Sequence, residues 1–597
     1  MTAPALAIEG LSVSLARERH GPYVSVLDGL DLRVERGEFC ALVGESGSGK
    51  TIAALSVTRQ LPPLARISGR IAVGGEDVMA LDARGLRRLR GGAVGMVFQN
   101  PLSALNPSHR VGRQIAEAVR LHGPATAAQA RDRALHLLDE VGIPDPADRI
   151  DDYPHQFSGG QRQRVMIAIA LAAEPRLLIA DEPTTGLDPL VARQILALLA
   201  RLRREHDMGV LFVTHDLSIA REGADSVHVL YAGRTVETSP AAPFFALPRH
   251  PYSAALLTAA PVLGRGHLTD IPGQMPEPDR RPSGCRFAPR CFQRREVCDQ
   301  AYPPLLPAGA GQAACLFALA APPDSVLPDS ARPPQPAQAE AAPLLALRDV
   351  LVRYGHDRAA PPSLNRVSLD LHRGECLGIV GESGSGKSTL GRAILQMIPY
   401  EGTVSLGGVS LGTLRGAAAR EARRRIQVVF QDPRESLNPR LSIGDIVTEP
   451  LRLAGRLKGG AASAEAARLL EHVGLPAALA SRLPGSVSGG QAQRVAIARA
   501  LATGPDIIVL DEPTSSLDVS TQATLLNLLA DLARTDRIAY VLISHDIAAV
   551  AFLADRIAVL REGEIVELQD TASLIASPRD VYTAALLDTA RPETVAA

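Results

Sequence analysis

The sequence predicts an α/β protein made of two tandem copies of one domain, with a small cysteine-containing accessory domain after the first. Three observations carry that expectation. Five short motifs recur in the same order in both halves. In each half an apolar strand pattern runs straight into a glycine-rich loop followed by a helical pattern. Only the first half is followed by a cluster of cysteines.

The bulk properties set limits. A chain of 597 residues exceeds what one hydrophobic core supports, so several domains are required. The net charge of -1 produces no broad field for nucleic acid or anionic lipid. No window approaches the about 18 apolar residues of a spanning helix. The run VMIAIALAA (165–173) is short and ends at Glu174. The opening MTAPALAIEGLSVSL lacks a basic region ahead of an apolar core and does not read as a secretory signal. These features predict a cytosolic chain whose membrane role comes through partners. Of 63 basic residues only Lys50, Lys387 and Lys458 are lysines. Two of those three stand in the motifs below, where a guanidinium would not fit.

The repeat pairs GESGSGKT (44–51) with GESGSGKS (381–388), VFQNP (97–101) with VFQDP (429–433), and FSGGQRQRV (157–165) with VSGGQAQRV (487–495). It continues with IADEPTTGLD (179–188) against VLDEPTSSLD (509–518), and VTHD (213–216) against ISHD (543–546). This is a duplicated domain rather than a solenoid. Between the copies, PPDSVLPDSARPPQPAQAEAAP (322–343) is rich in Pro and Ala and has no periodic apolar face. At about 3.1 Å per residue such a tether spans roughly 70 Å, enough for one copy to turn and face the other. The expected limits are a first domain over 1–240, an accessory domain over 241–318, a linker over 319–343 and a second domain over 344–597.

In each copy an apolar strand, CALV (40–43) or LGIV (377–380), enters the glycine-rich loop. That context makes G-x-x-x-x-G-K-[ST] a phosphate cradle, because glycines let backbone N–H groups wrap an anion at a helix N-terminus. The cradle residues are Gly44, Glu45, Ser46, Gly47, Ser48, Gly49, Lys50 and Thr51 in the first copy. In the second they are Gly381, Glu382, Ser383, Gly384, Ser385, Gly386, Lys387, Ser388 and Thr389. Lys50 and Lys387 reach the β/γ-phosphates, while Thr51 and Ser388 ligate Mg²⁺.

Two buried-strand runs, RLLIADEP (176–183) and DIIVLDEP (506–513), end in paired acids. Asp181 and Asp511 suit the metal side; Glu182 and Glu512 suit a general base for an attacking water. An Asp-Glu pair at a strand end is often only a solvated turn, and its place between the other motifs decides for chemistry. A lone histidine is more often structural than catalytic. His215 and His545, however, follow short strands at the same offset from both acid pairs and fit a γ-phosphate contact. Gln99 and Gln431, each after a strand ending in Phe, fit sensors of the metal and the attacking water.

With SGGQ added, at Ser158, Gly159, Gly160 and Gln161 and again at Ser488, Gly489, Gly490 and Gln491, the sequence resembles the ATP-binding cassette (ABC) ATPases. The resemblance implies an α/β fold of two tandem ABC-type P-loop NTPase domains. In that family the SGGQ helix N-terminus caps the nucleotide held by the opposite cassette. The resemblance therefore implies an intramolecular head-to-tail ATPase dimer. One site would combine Lys50 with Ser488 and Gly490, the other Lys387 with Ser158 and Gly160. Asp188 and Asp518 match the loop that crosses between the sites. The adenine-stacking aromatic falls on Tyr354 in the second copy. In the first, the matching place holds residues 15–17, with Tyr23 further on.

The resemblance narrows to the dipeptide/oligopeptide import branch through YPHQFSGGQ (153–161), ALNP (104–107), SLNP (436–439) and HPYSAALLTAAP (250–261). IPGQMPEP (271–278) and GCRFAPRC (284–291) belong to the same pattern. It implies an energy-coupling ATPase on the cytoplasmic face of the inner or plasma membrane. Its partners would be two transmembrane permeases and, through them, an extracytoplasmic substrate-binding protein. Nickel and glutathione-like compounds are the alternative cargoes. The second copy departs from the pattern, with LPGSVSGGQ (483–491) and a VYTAALL (581–587) that lacks the His-Pro. The rival class is a soluble twin-cassette ATPase acting on ribosomes. Its iron–sulfur members carry a C-x₂-C-x₂-C-x₃-C-P run, which this sequence lacks. The arginine runs GLRRLRGG (85–92) and AREARRRIQ (419–427) read as solvated helices rather than nucleic-acid contacts.

Cys285, Cys291, Cys298 and Cys315 are spaced C-x₅-C-x₆-C-x₁₆-C. A cytosolic chain disfavours disulfides, and Cys40 and Cys376 read as packing residues beside the phosphate loops. Four thiolates suit Zn²⁺ or a [4Fe–4S] cluster, and incidental thiols are the third reading. A zinc ribbon pairs close C-x₂-C knuckles, and none occurs. The family resemblance implies a [4Fe–4S] cluster.

Overall fold

The computed structural model describes residues 3–16, 21–263, 268–321, 342–355, 361–457, 459–515 and 517–591. Most of the expected linker (322–341) and Lys458 lie outside the described residues. The chain forms two compact units, the first holding most of the described residues up to 321 and the second holding those from 342 onward together with 188–190 and the described part of 260–270.

In the first unit five parallel strands form the centre of the main sheet. Their order is Val94–Val97, Leu177–Asp181, Gly209–Thr214, Phe39–Val43 and Ser226–Tyr231. FCALV and LLIAD are buried at every position. They are continuous apolar runs because both faces of a parallel sheet are covered. On one face a four-stranded antiparallel sheet (Val24–Val34, Leu6–Leu15, Arg66–Val73, Glu76–Asp77) encloses Leu6, Leu30, Leu42, Ala53 and Leu211. On the other face a helical layer forms a second core. Its helices Val111–His122, Ala127–Glu140, Gly159–Leu171 and Pro189–Glu205 bury Ile115, Leu137, Ile167 and Leu199. The run VMIAIALAA is accounted for here: Val165, Met166, Ile167, Ala168, Ala170 and Leu171 are buried inside the unit. Among the described residues, no helix is long and apolar enough to cross a membrane.

The strand order positions the chemistry. Phe39–Val43, Gly209–Thr214, Leu177–Asp181 and Val94–Val97 are successive neighbours, so their carboxyl ends share one edge of the sheet. The phosphate loop, His215, the Asp181–Glu182 pair and Gln99 all follow those ends, where open α/β sheets bind ligands. The second unit repeats the plan in a six-stranded sheet ordered Ile426–Val429, Ile507–Asp511, Ala539–Ile543, Cys376–Val380, Arg556–Arg561 and Glu564–Asp570.

The cysteine-bearing stretch does not form layers of its own. Its hairpin, Leu306–Ala308 with Gly311–Ala313, extends the first unit's main sheet by pairing Ala313 with Glu237 and Gln312 with Thr238. Two short 3₁₀ turns, Ala288–Arg290 and Glu296–Asp299, complete it. Its few buried apolar side chains, among them Phe287, Ala288 and Ala313, are too few for an independent core.

Candidate functional site

At the end of Phe39–Val43 the chain turns through Gly44 at φ 152°, where a Cβ would lie 2.2 Å from the Leu230 carbonyl oxygen. Gly381 repeats this at φ 156°, 2.1 Å from the Leu560 oxygen. Only glycine fits so close an approach. Lys50 opens helix Lys50–Val57, is 5% exposed, and donates from Nζ to the carbonyls of Gly44 at 2.7 Å and Glu45 at 3.1 Å. Lys387 does the same to Gly381 and Glu382, both at 2.7 Å. Burial lowers the pKa of Lys387. The Ser48 and Ser385 hydroxyls are buried without a hydrogen-bond partner among the described residues. A loop shaped to wrap a ligand's oxygens leaves such groups open.

The acid pairs stand beside these loops. Thr51 Oγ1 donates to Asp181 Oδ1 at 3.3 Å, and Ser388 Oγ to Asp511 Oδ1 at 3.1 Å. Burial, helped by the Glu182 charge, pushes Asp181 up to about 6, and burial raises Asp511 as well. A desolvated carboxylate next to a hydroxyl is a donor set that fits Mg²⁺. Glu182 is held by three side chains, accepting from Gln99 Nε2 at 2.8 Å and Thr185 Oγ1 at 3.1 Å and lying 3.2 Å from His215 Nδ1. Glu512 is held by Gln431 at 2.8 Å and His545 at 3.3 Å. Burial alone would raise both glutamates. The hydrogen bond and charge of the facing histidine outweigh it and leave each below the usual glutamate range. Burial would lower both histidines, and the facing glutamates raise them instead. The structure thus brings Gln, Glu and His into one cluster in each unit.

Both glutamates also hold a backbone conformation that the sequence did not announce. Glu182 has φ 47° and Glu512 φ 48°. The left-handed region costs a non-glycine residue about 1–3 kcal/mol and is found where function demands a set direction. The Glu182 N–H donates to Val213 O at 2.9 Å and the Glu512 N–H to Ile543 O at 2.8 Å, which secure the turn.

The SGGQ motifs open helices Gly159–Leu171 and Gly489–Leu501 with reciprocal caps. Gln161 N–H donates to Ser158 Oγ at 3.3 Å, and Ser158 N–H to Gln161 Oε1 at 3.0 Å. Ser488 and Gln491 repeat this at 3.3 and 3.1 Å. Asp188 is buried, and Asp518 caps helix Val519–Asp536 through Thr521 N–H at 3.0 Å. Tyr354 is 51% exposed, with its hydroxyl 3.5 Å from Thr389 Oγ1 beside the second loop. In the first unit the Arg66 guanidinium lies 3.7 Å from the centre of the Tyr23 ring, so one face of that ring is already covered. Arg17 lies outside the described residues.

Sequence reasoning missed the role of the HPY tyrosine. The Glu45 N–H donates to Tyr252 Oη at 2.9 Å, so helix Pro251–Ala259 supports the phosphate loop from below. Glu237 positions that helix by accepting from the N–H groups of Arg249 and His250, both at 2.8 Å. The second unit keeps the device without His-Pro. Glu567 accepts from Arg579 and Asp580, Asp580 caps the helix through Tyr582 N–H, and Tyr582 Oη accepts from Glu382 N–H at 2.7 Å. Asp580 stands where the first unit has His250, whose Nδ1 accepts from Tyr252 N–H at 3.0 Å.

That exchange has a pH consequence. Burial holds the His250 imidazole down to about 3, against 6.5 ordinarily. Between those values the unfolded chain binds a proton that the folded chain refuses. Stability present above pH 6.5 is therefore lost as pH falls toward 3, at about 1.4 kcal/mol per unit. In calorimetry of the full chain, His250→Asp is expected to shrink the acid-induced drop in the first unit's melting temperature between pH 6.5 and 4.5. An undiminished drop would show that this histidine does not set it.

Cys285, Cys291, Cys298 and Cys315 are the residues expected to share a metal centre. All four are free and half-buried. Among the described residues, no group of three or more His, Cys, Asp or Glu side chains is placed to hold a metal ion. Burial raises the thiols of Cys285, Cys291 (to about 11) and Cys315. Gln293 N–H points at Cys291 Sγ and Phe317 N–H at Cys315 Sγ, both at 3.4 Å.

Comparison with known proteins gives the family. Residues 27–185 and 364–515 match the ABC transporter family, and residues 236–298 match the C-terminal region of oligopeptide/dipeptide transporters. The oligopeptide transport ATP-binding protein OppD of Mycobacterium tuberculosis is 43% identical over 98% of this chain and 98% of its own. The glutathione import ATP-binding protein GsiA of Escherichia coli K12 is 39% identical over 98% of this chain and 89% of its own. The chain belongs to the ABC transporter ATPases, in the oligopeptide/dipeptide transporter branch, with two ATP-binding cassettes in one polypeptide.

Proposed function

We propose that this chain energises a peptide importer, hydrolysing ATP to drive two membrane permeases that receive cargo from an extracytoplasmic substrate-binding protein. It would act as a peripheral protein on the cytoplasmic face of the inner or plasma membrane. The observation that carries this reading is the matched segment 236–298, whose Tyr252 is built into the first phosphate loop. Glutathione-like cargo is the second reading, favoured by the full-length likeness to GsiA.

In this reading the loops Gly44–Thr51 and Gly381–Thr389 wrap the phosphates, with Lys50 and Lys387 at the β/γ positions. Mg²⁺ would be held by Thr51, Asp181 and Gln99, and by Ser388, Asp511 and Gln431, and supplies charge neutralisation on the phosphates. Glu182 and Glu512 each accept the proton of a water as its oxygen bonds to the γ-phosphorus and the bond to the ADP oxygen breaks. His215 and His545 hold those carboxylates ionised and turned toward the water. Ser158 to Gln161 and Ser488 to Gln491 would each complete the opposite cassette's site in a head-to-tail pair, with Asp188 and Asp518 crossing between. Tyr354 is the adenine platform of the second site. The domain limits 1–240, 241–318, 319–343 and 344–597 belong to the same proposal.

The family resemblance implies a [4Fe–4S] cluster on Cys285, Cys291, Cys298 and Cys315, with Zn²⁺ as the alternative. Iron, sulfide and zinc analysis of anaerobically purified protein tests it, and protein free of all three would leave four plain thiols.

For the transport reading, the test is co-purification with two polytopic permeases, followed by reconstitution with the binding protein. Peptide added outside is expected to stimulate ATP hydrolysis. Stable ribosome binding without any permease would sink the reading, and stimulation by glutathione alone would move it to the second cargo.

A further inference from the structure

Among the described residues, the first phosphate loop has a partner that its copy lacks. Glu45 is buried, and its carboxylate receives a forked bridge from Arg290, Nη1 to Oε2 at 2.7 Å and Nη2 to Oε1 at 3.1 Å. Both side chains are 4% exposed. Arg290 lies in GCRFAPRC, one residue before Cys291. The same guanidinium donates to Pro272 O at 2.9 Å and to the Tyr231 hydroxyl at 3.3 Å. Phe287, three residues earlier, packs its ring 5.3 Å from Tyr231 and 5.4 Å from Tyr252, the tyrosine under the loop. Met275 closes on the loop itself, its methyl 3.3 Å from where a Cβ on Gly47 would be. In the second unit Glu382 occupies the place of Glu45. Its N–H keeps the tyrosine contact, but among the described residues no hydrogen bond or ion pair reaches its carboxylate.

A glycine-rich loop is costly to order around a ligand, and whatever holds it in shape beforehand reduces that cost. A buried forked Arg–carboxylate pair is well suited to do so, because it bonds in one narrow geometry. We infer that Arg290 is a positioning residue for the first ATP site: by clamping Glu45 it keeps that phosphate loop ready for nucleotide, and so places affinity at the first site, but not the second, under control of the cysteine-bearing segment. The inference rests on the assignment of Lys50 and its loop as an ATP site, made above.

The test is equilibrium binding of a non-hydrolysable ATP analogue to the full chain carrying one working site. In a Lys387→Ala background, which leaves the first site, Arg290→Met is expected to weaken binding about tenfold, within the range of ordinary site-to-site couplings. In a Lys50→Ala background, which leaves the second site, the same substitution is expected to change affinity less than about twofold. Arg290→Lys, which keeps the charge and loses the fork, falls between. Adding Glu45→Gln to Arg290→Met restores part of the loss by removing the stranded carboxylate. A role confined to stability would lower the number of sites bound and leave the affinity of each unchanged. That result, or equal weakening in both backgrounds, overturns the inference. Absence of binding by the Lys387→Ala chain with Arg290 intact would instead sink the first-site assignment, and the inference with it.

Discussion

Replacing Glu182 and Glu512 together by glutamine is expected to slow ATP turnover by about 10²–10⁴-fold, the usual worth of a general base, with nucleotide binding retained. Each glutamate sits at a strand end in a left-handed backbone turn, beside its partner acid and facing Gln99 and His215, or Gln431 and His545. Glutamine preserves size and can still accept hydrogen bonds from those neighbours, so the turn should survive. What it removes is the negative charge that keeps the histidine pKa raised and the capacity to take a proton from water. Phosphate release and analogue binding, measured on the same preparation, separate the two effects. Full turnover in the double variant would show that the base is elsewhere. Each single variant leaves one intact cluster, and comparing the two singles reports whether the sites turn over independently.

The second large effect is expected from Lys50→Ala and Lys387→Ala. Each ammonium is buried and bonded to two loop carbonyls. Its loss removes a charge-assisted contact to phosphate worth about 1.5–3 kcal/mol, or roughly ten- to hundredfold in affinity. Binding stoichiometry at moderate ATP should fall from two to one in either single variant and to none in the double. Lys→Arg should behave like Lys→Ala, because a planar five-donor fork does not fit between the carbonyls of Gly44 and Glu45. An arginine variant with full affinity would refute that explanation for the two lysines kept in an arginine-rich chain.

Much of the candidate site was legible because its chemistry is local. A strand entering G-x-x-x-x-G-K-[ST], an apolar strand ending in Asp-Glu, and a helix opened by SGGQ each place their groups through short-range backbone geometry. Lys50, Thr51, Asp181 and Glu182 could therefore be read from motifs in their context, while the role of Ser158 came with the family resemblance. The duplication strengthened each assignment. Sequence reading was weaker wherever a contact joins distant segments. The loss of His-Pro in the second half reads as a departure, yet Asp580 and Tyr582 reproduce the support that His250 and Tyr252 provide. No periodicity or motif pairs Arg290 with Glu45, which lie 245 residues apart.

The cysteine segment divides the same way. Its spacing and the family resemblance pointed to an accessory domain with a cluster. In the structure its hairpin lengthens the first unit's main sheet, Phe287 packs on Tyr231, Arg286 bonds the Ala232 carbonyl and Arg290 reaches Glu45. No group of its cysteines, among the described residues, is placed to hold an ion.

The sequence by itself determined the duplicated α/β plan, the identity of the phosphate loops and the acids beside them, because these depend on backbone geometry over a few residues. Tertiary structure alone decided that Gln, Glu and His meet in one cluster in each unit, that the glutamates sit in strained turns, and that the first loop is clamped from the cysteine segment. Those outcomes depend on strand order and on burial, which bring residues far apart in the chain within hydrogen-bond reach and set their charges.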